Sequence, residues 1–181
     1  MVVMRVDSVE GERLAGRAHT AEFDAVFVES YPRLVRSLTV VCGDGEVASD
    51  CVADAFERAY VRWRKVGRLD DPVGWIRRVA INRAHDVHRR HRRRDRAVER
   101  LAGRPAPLGE PPEVADAQLL AVVGELPTQQ RTVVALHYLD DLSVVEVARA
   151  MGITDGTVKY HLHQARERLR AAWPPDEGAS G

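Results

Sequence analysis

Lys159, Tyr160, His163, Gln164 and Arg166 lie within twelve residues of Thr154, in the stretch "GITDGTVKYHLHQARERLR". A cation, a phenol, an imidazole, an amide and a guanidinium at this spacing lack the nucleophile and base of a catalytic group. They can pair with phosphate and hydrogen-bond base edges, which is the chemistry of reading duplex DNA. Val158, Leu162, Ala165 and Leu169 recur at i, i+4, i+7 and i+11. At about 100° per residue they form one apolar face, which turns Gly156, Tyr160, His163 and Gln164 outward and leaves Thr157, Lys159 and Arg166 on the flanks. Thr154 is placed to cap this helix. The small Gly156 and Thr157 let its N-terminal N–H groups come close to a phosphate.

Other chemistry is weakly supported. His161 and His163, two residues apart, point about 200° apart on a helix and do not make a metal pair. Cys42 and Cys51 form no CxxC motif; they read as small apolar side chains in a reducing cytosol. Asp70 and Asp71 stand before Pro72, where a helix cap is the plainer reading. No glycine-rich phosphate loop, activated nucleophile or carboxylate cluster is present, so no enzyme, no metal and no cofactor is expected. No apolar run is long enough for a signal peptide or a membrane span, which points to a cytoplasmic protein.

The chain has 27 basic and 27 acidic residues and zero formal net charge, yet the charge is blocked. From Arg77 to Arg100 ten arginines face only Asp86, Asp95 and Glu99. The stretch from Leu101 to Ala148 is acidic, and Arg149 to Ala172 is basic again. Two basic blocks of this kind suit a polyanion.

The elements that must position these residues are all helical. Phe23, Val26 and Phe27 mark a short helix, and Pro32 is placed to start another carrying Leu34, Val35, Leu38 and Val41. Val52, Phe56, Ala59 and Trp63 line one face of a helix over 50–63, and Pro72 opens a fourth through Trp75, Ile76, Val79 and Ala80. The segment "GRPAPLGEPPE" carries four prolines, a density that excludes a helix and sets a spacer between two domains. Beyond it, a helix over 116–125 and one over "TQQRTVVALHYLDDL" precede "LSVVEVARAMG". There Ser143 and Glu146 stand at capping-box spacing, and Gly152 closes the helix. Two helices joined by this glycine turn have the form of a helix-turn-helix. The expected architecture is all-α: a flexible segment 1–20, a helical bundle over 21–100, a linker over 101–114, a helix-turn-helix domain over 115–173 and a flexible tail over 174–181.

In this order, "DCVADAFERAYVRW", "DPVGWIRRVAINRAHDVHRRHRR" and "ELPTQQRTVVALHYLDDLSVVEVARAMGITDGTVKYHLHQARERLR" resemble the extracytoplasmic-function (group 4) sigma factors of the sigma-70 family, over about residues 22 to 173. The resemblance implies a region-two domain and a region-four domain that bind RNA polymerase core and direct promoter-specific initiation. It implies that Asp50, Asp54, Glu57, Arg58, Arg62 and Arg64 face the clamp coiled coil of the β′ subunit. The loop Gly67 to Asp71, with Arg68, Leu69 and Asp70, would hold an unstacked base of the −10 element. Unstacking costs a few kcal/mol, which basic contacts must offset. Arg77, Arg78, Arg83, Arg89 and Arg90 would supply them. Asn82 matches the family's Asn and can serve either a base or a backbone cap. Region four would bind the β flap and read the −35 element through Thr154, Gly156, Thr157, Lys159, Tyr160, His163, Gln164 and Arg166. The linker would run toward the active-site channel, and an anti-sigma factor is a further partner of the kind such proteins have.

After "TVK", Tyr160 and His161 replace the family's frequent Ser or Thr and Arg, and Gln164 replaces a second Arg. Fewer fixed charges on the reading helix imply weaker phosphate attraction and an unusual −35 preference. The run "RRHRRRDR" reads as a solvated arm that would meet phosphate without sequence preference. A regulator of the LuxR type would also hold "TVKYHLHQARERL", but residues 23–100 lack the alternating strands and helices of a receiver domain.

Overall fold

The computed structural model describes residues 6–99 and 117–172. Among the described residues there is no strand. Helices α1 (Val6–Cys42), α2 (Gly45–Val61), the single turn α3 (Trp63–Val66) and α4 (Pro72–Glu99) make the first half. The second half holds α5 (Ala117–Gly124), α6 (Thr128–Val134) continuing into a π-helical turn (Ala135–Leu139), α7 (Val144–Met151) and α8 (Asp155–Ala172). The expected linker 101–114 and tail 174–181 lie outside the described residues.

Local chemistry sets most boundaries. Asp44 caps α2 by accepting from Val47 N at 3.0 Å. Asp71 caps α4 by accepting from Gly74 N at 2.7 Å, so the acid pair before Pro72 includes a cap. A Cβ on Gly74 would sit 2.0 Å from that carboxylate, so the glycine makes room for it. The apolar face of α2, with Val52, Phe56 and Ala59 buried, packs against α1 and α4. Each large side chain removed from water there contributes about 1.5–3 kcal/mol. Phe23, Phe27, Tyr31 and Phe56 pack ring against ring beside it.

Three expectations change. Pro32 lies inside α1 and does not start a new helix. Leu34, Leu38 and Val41 beyond it are buried, and their burial holds the helix together through a residue that withholds only one N–H. The same helix begins at Val6, so helix rather than a separate segment covers residues 6–20. The arginine run expected to leave the helix remains in α4 as far as Glu99; arginine is a good helix former, and nothing in that run breaks the ladder.

Two separately wrapped domains would each hold a core, but the largest core is shared. Leu38, Phe56 and Ile76 of the first half join Val133, Leu136, Val147 and Val158 of the second in one continuous cluster. A smaller cluster of Val123, Leu126, Val134 and Ala165 also takes in Val40 of α1.

Candidate nucleic-acid interface

The turn between α7 and α8 follows from its sequence. Ser143 accepts from Glu146 N at 3.3 Å, while the Glu146 carboxylate accepts from Ser143 N at 2.8 Å and from its hydroxyl at 2.6 Å. This capping box holds the Glu146 carboxyl below the usual carboxylate range. Gly152 then ends α7 at φ 68°, ψ 36°, the left-handed region that a side chain disfavours. Thr154 starts α8 by accepting from Thr157 N at 3.2 Å.

On α8, Val158, Leu162 and Ala165 are buried as the period requires. Thr154, Gly156, Lys159, Tyr160, His163 and Arg166 are exposed, and Thr157 and Gln164 are half-buried at the edges. Tyr160 is 59% exposed, its ring 5.6 Å from that of His161. Arg166 is held in place: its Nε donates to the Tyr138 hydroxyl at 2.8 Å, and its guanidinium lies 5.8 Å from the Tyr138 ring centre. Sequence reasoning missed Tyr138. Its hydroxyl extends the outer face of α8 by one residue from the π-helical turn, and no spacing rule on α8 could have found it. The result is an exposed row of donors and acceptors on a rigid helix, suited to a groove edge.

The first half arranges its residues differently. Of the expected polymerase-facing set, Asp50, Glu57, Arg58, Arg62 and Arg64 are exposed on α2 and α3 or at the joint between them. Asp54 is half-buried, 3.0 Å from Arg58 Nη2 and 3.5 Å from Arg83 Nε. Arg83 is therefore shared between α4 and α2. Arg68, Leu69 and Asp70 are exposed in the loop, and Arg78, Asn82, Arg89 and Arg90 are exposed on α4. Arg89 is paired with Asp86 one turn earlier.

Arg77 does not lie on that open surface. It is 8% exposed, and its Nε is 3.4 Å from Asp140 Oδ2 at the end of the π-helical turn. The reason is packing: α7 lies along α4, and Ile76, Ala80 and Ile81 on either side of Arg77 are core residues. Cys42 and Cys51 are free, and no group able to hold a metal occurs among the described residues. Nor is any helix among them long and apolar enough to cross a membrane.

Residues 27–94 match the family model for sigma-70 region 2, and residues 116–169 match that for sigma-70 region 4. The chain is 32% identical over 151 residues to the RNA polymerase sigma-E factor of Streptomyces coelicolor, covering 82% of this chain and 84% of that protein. It is 32% identical over 142 residues to the ECF RNA polymerase sigma factor SigW of Bacillus subtilis, covering 71% and 76%. Among solved structures, the sigma factor RpoE of Bartonella quintana, in complex with the anti-sigma factor NepR, aligns with TM-score 0.66 at 20% identity over 85% of this chain and 98% of that one. CnrH, in complex with the cytosolic domain of CnrY, aligns with TM-score 0.59 at 23% identity over 87% and 93%. These two likenesses concern the fold.

Proposed function

The chain belongs to the extracytoplasmic-function sigma factors of the sigma-70 family, and on that premise we propose which of its surfaces perform each part of promoter-specific transcription initiation. As a sigma factor it is an initiation subunit with no catalytic site of its own. It acts in the cytoplasm, where core polymerase and DNA are found.

The outer face of α2, with Asp50, Glu57 and Arg58, docks on the clamp coiled coil of polymerase β′, and region four docks on the β flap. Exposed charges on a helix suit a charged helical partner. The loop of Arg68, Leu69 and Asp70 takes the flipped −10 base, with Arg78, Asn82 and Arg90 along the strand. Helix α8 enters the major groove of the −35 element with Lys159, Tyr160, His163 and Gln164 on the bases and Arg166 on phosphate.

The observation that carries this reading is the exposed row on α8. It is fixed at one end by the Thr154 cap and at the other by the Tyr138–Arg166 contact. An anti-sigma factor is a further partner, by analogy with the RpoE relative solved with one.

Run-off transcription with purified core polymerase on genomic fragments tests the reading. Discrete, salt-sensitive starts that require the chain are expected. Duplex binding by the chain alone with no start sites would instead favour a stand-alone regulator and remove the roles given to α2 and α4.

A further inference from the structure

No carboxylate among the described residues pairs with Arg166, and its neighbour Glu167 is taken by Arg170 at 2.8 Å. The contact that fixes Arg166 is neutral. Its Nε donates to the Tyr138 hydroxyl at 2.8 Å, with the guanidinium 5.8 Å from the ring centre. In that contact the hydroxyl serves as acceptor. Its own proton has no acceptor among the described residues, and Tyr138 is 49% exposed.

Tyr138 is itself held from behind. It lies in the π-helical turn, closed by Asp140 N donating to Ala135 O at 3.3 Å, an irregularity of the kind found at functional sites. His137 stands edge-on to it, with ring centres 4.8 Å apart. The His137 ring is locked in turn. Its Nδ1 is 2.7 Å from Leu142 O, and a carbonyl only accepts, so Nδ1 carries the proton and donates. Support therefore runs from the Leu142 carbonyl through His137 and Tyr138 to Arg166.

We propose that Tyr138 and Arg166 form a two-pronged site for a single DNA phosphate, and that Tyr138 sets where on the backbone Arg166 grips. The proposal rests on the reading of α8 as the −35 helix. With Nε bound to the phenol, both Nη groups are left for phosphate oxygens, and the Tyr138 O–H is a further donor beside them. Accepting from a cation strengthens that hydroxyl as a donor. An unrestrained arginine would reach several phosphates and select none. Held at Nε and against the ring, this one has less freedom to lose on binding. Arg166 lies seven residues past Lys159, about 10 Å along the helix, so its phosphate borders the bases that α8 reads. Gripping that phosphate fixes how far α8 sits along the groove, and so which base edges Lys159, Tyr160 and His163 meet.

The test uses holoenzyme made of core polymerase and the full chain, on a promoter fragment recovered by run-off transcription. Each phosphate bordering the −35 element is replaced in turn by an uncharged methylphosphonate. The unmutated chain should lose about ten-fold in affinity at one position. Tyr138→Phe keeps the ring and removes only the hydroxyl. It should weaken binding to native DNA about three- to ten-fold, at unchanged circular dichroism and core polymerase affinity, and lose little more at that same phosphate. Arg166→Ala should be indifferent to the substitution there and should lower the slope of log affinity against log salt by about 0.9. Native affinity in Tyr138→Phe overturns the positioning role. Equal sensitivity of all three proteins at every phosphate overturns the site. If the unmutated holoenzyme gives no promoter-specific starts, the reading of α8 fails; starts beside an indifferent Tyr138→Phe count against the site alone.

Discussion

Helices α4 and α8 carry the two basic faces of the molecule, and they differ in whether a neighbouring element claims their cations. On α4, Arg77 is tied to Asp140 of the π-helical turn and Arg83 to Asp54 of α2, while Arg89 pairs only along its own helix, as Arg170 does with Glu167 on α8. On α8, the residues given to base reading, Lys159, Tyr160 and His163, stand exposed on a helix whose other face is buried. Both helices would look alike in a charge count. They differ because α4 is packed by α1, α2 and α7 and must satisfy guanidiniums at those contacts, whereas α8 packs on α5, α6 and α7 through the apolar side chains of Val158, Leu162 and Ala165 and leaves its outer side free. Arginine in a basic helix is therefore evidence of a polyanion surface only where no neighbouring acid claims it.

The comparison can be broken most forcefully at the shared core. Leu136→Ala, at a fully buried site between the halves, should cost about 2–5 kcal/mol. If the halves unfold together, a denaturant melt should show one earlier transition. Two transitions, with only one displaced, would mean that they are independent bodies in contact.

Next in size is the division of labour. Lys159→Ala or Gln164→Ala should each weaken −35-dependent initiation by about 1–3 kcal/mol, the value of a good base contact, with core polymerase binding unchanged. Glu57→Ala with Arg58→Ala should do the reverse. Loss of polymerase affinity in either α8 variant would show that this face serves the enzyme rather than the promoter.

A smaller effect sharpens the turn. Ser143→Ala removes one side of the capping box and should lower stability by about 1 kcal/mol, measured by thermal melting. A loss of −35 reading without loss of stability would mean that Ser143 acts on DNA directly.

The smallest effect is set by pH. Burial, with His88 and Arg89 adding to it, pushes the His85 imidazole below its ordinary range. The unfolded chain then takes up this proton first as pH falls. The stability given by neutral His85 is complete above about pH 6.5 and is lost as pH drops toward the lower folded value. Melts of the native chain should fall more steeply than those of His85→Gln between neutral and mildly acid pH. Parallel slopes would assign the acid sensitivity to other groups.

The boundaries legible in the sequence are those made by residues within one turn of each other. Ser143 with Glu146, Gly152, Thr154 with Thr157 and Asp71 before Gly74 all act over three residues or through a single φ angle. The apolar face of α8 was equally readable, since its period alone decides which residues turn outward. Pro32 misled because its local preference to begin a helix is weaker than the burial of Leu34 and Leu38 beyond it.

The sequence by itself therefore determined the capped helix ends, the helix-turn-helix and the outer row of α8, because capping and periodicity are short-range and repeat along the chain. Tertiary structure alone decided that Arg77 is covered, that Tyr138 orients Arg166 and that one core runs through both halves. Those contacts join residues 28 to 107 positions apart, and nothing local distinguishes Arg77 from Arg78 until α7 is laid against α4. Burial then makes the pairing of the covered guanidinium obligatory, since a charge taken out of water without a partner is far costlier than one left in it.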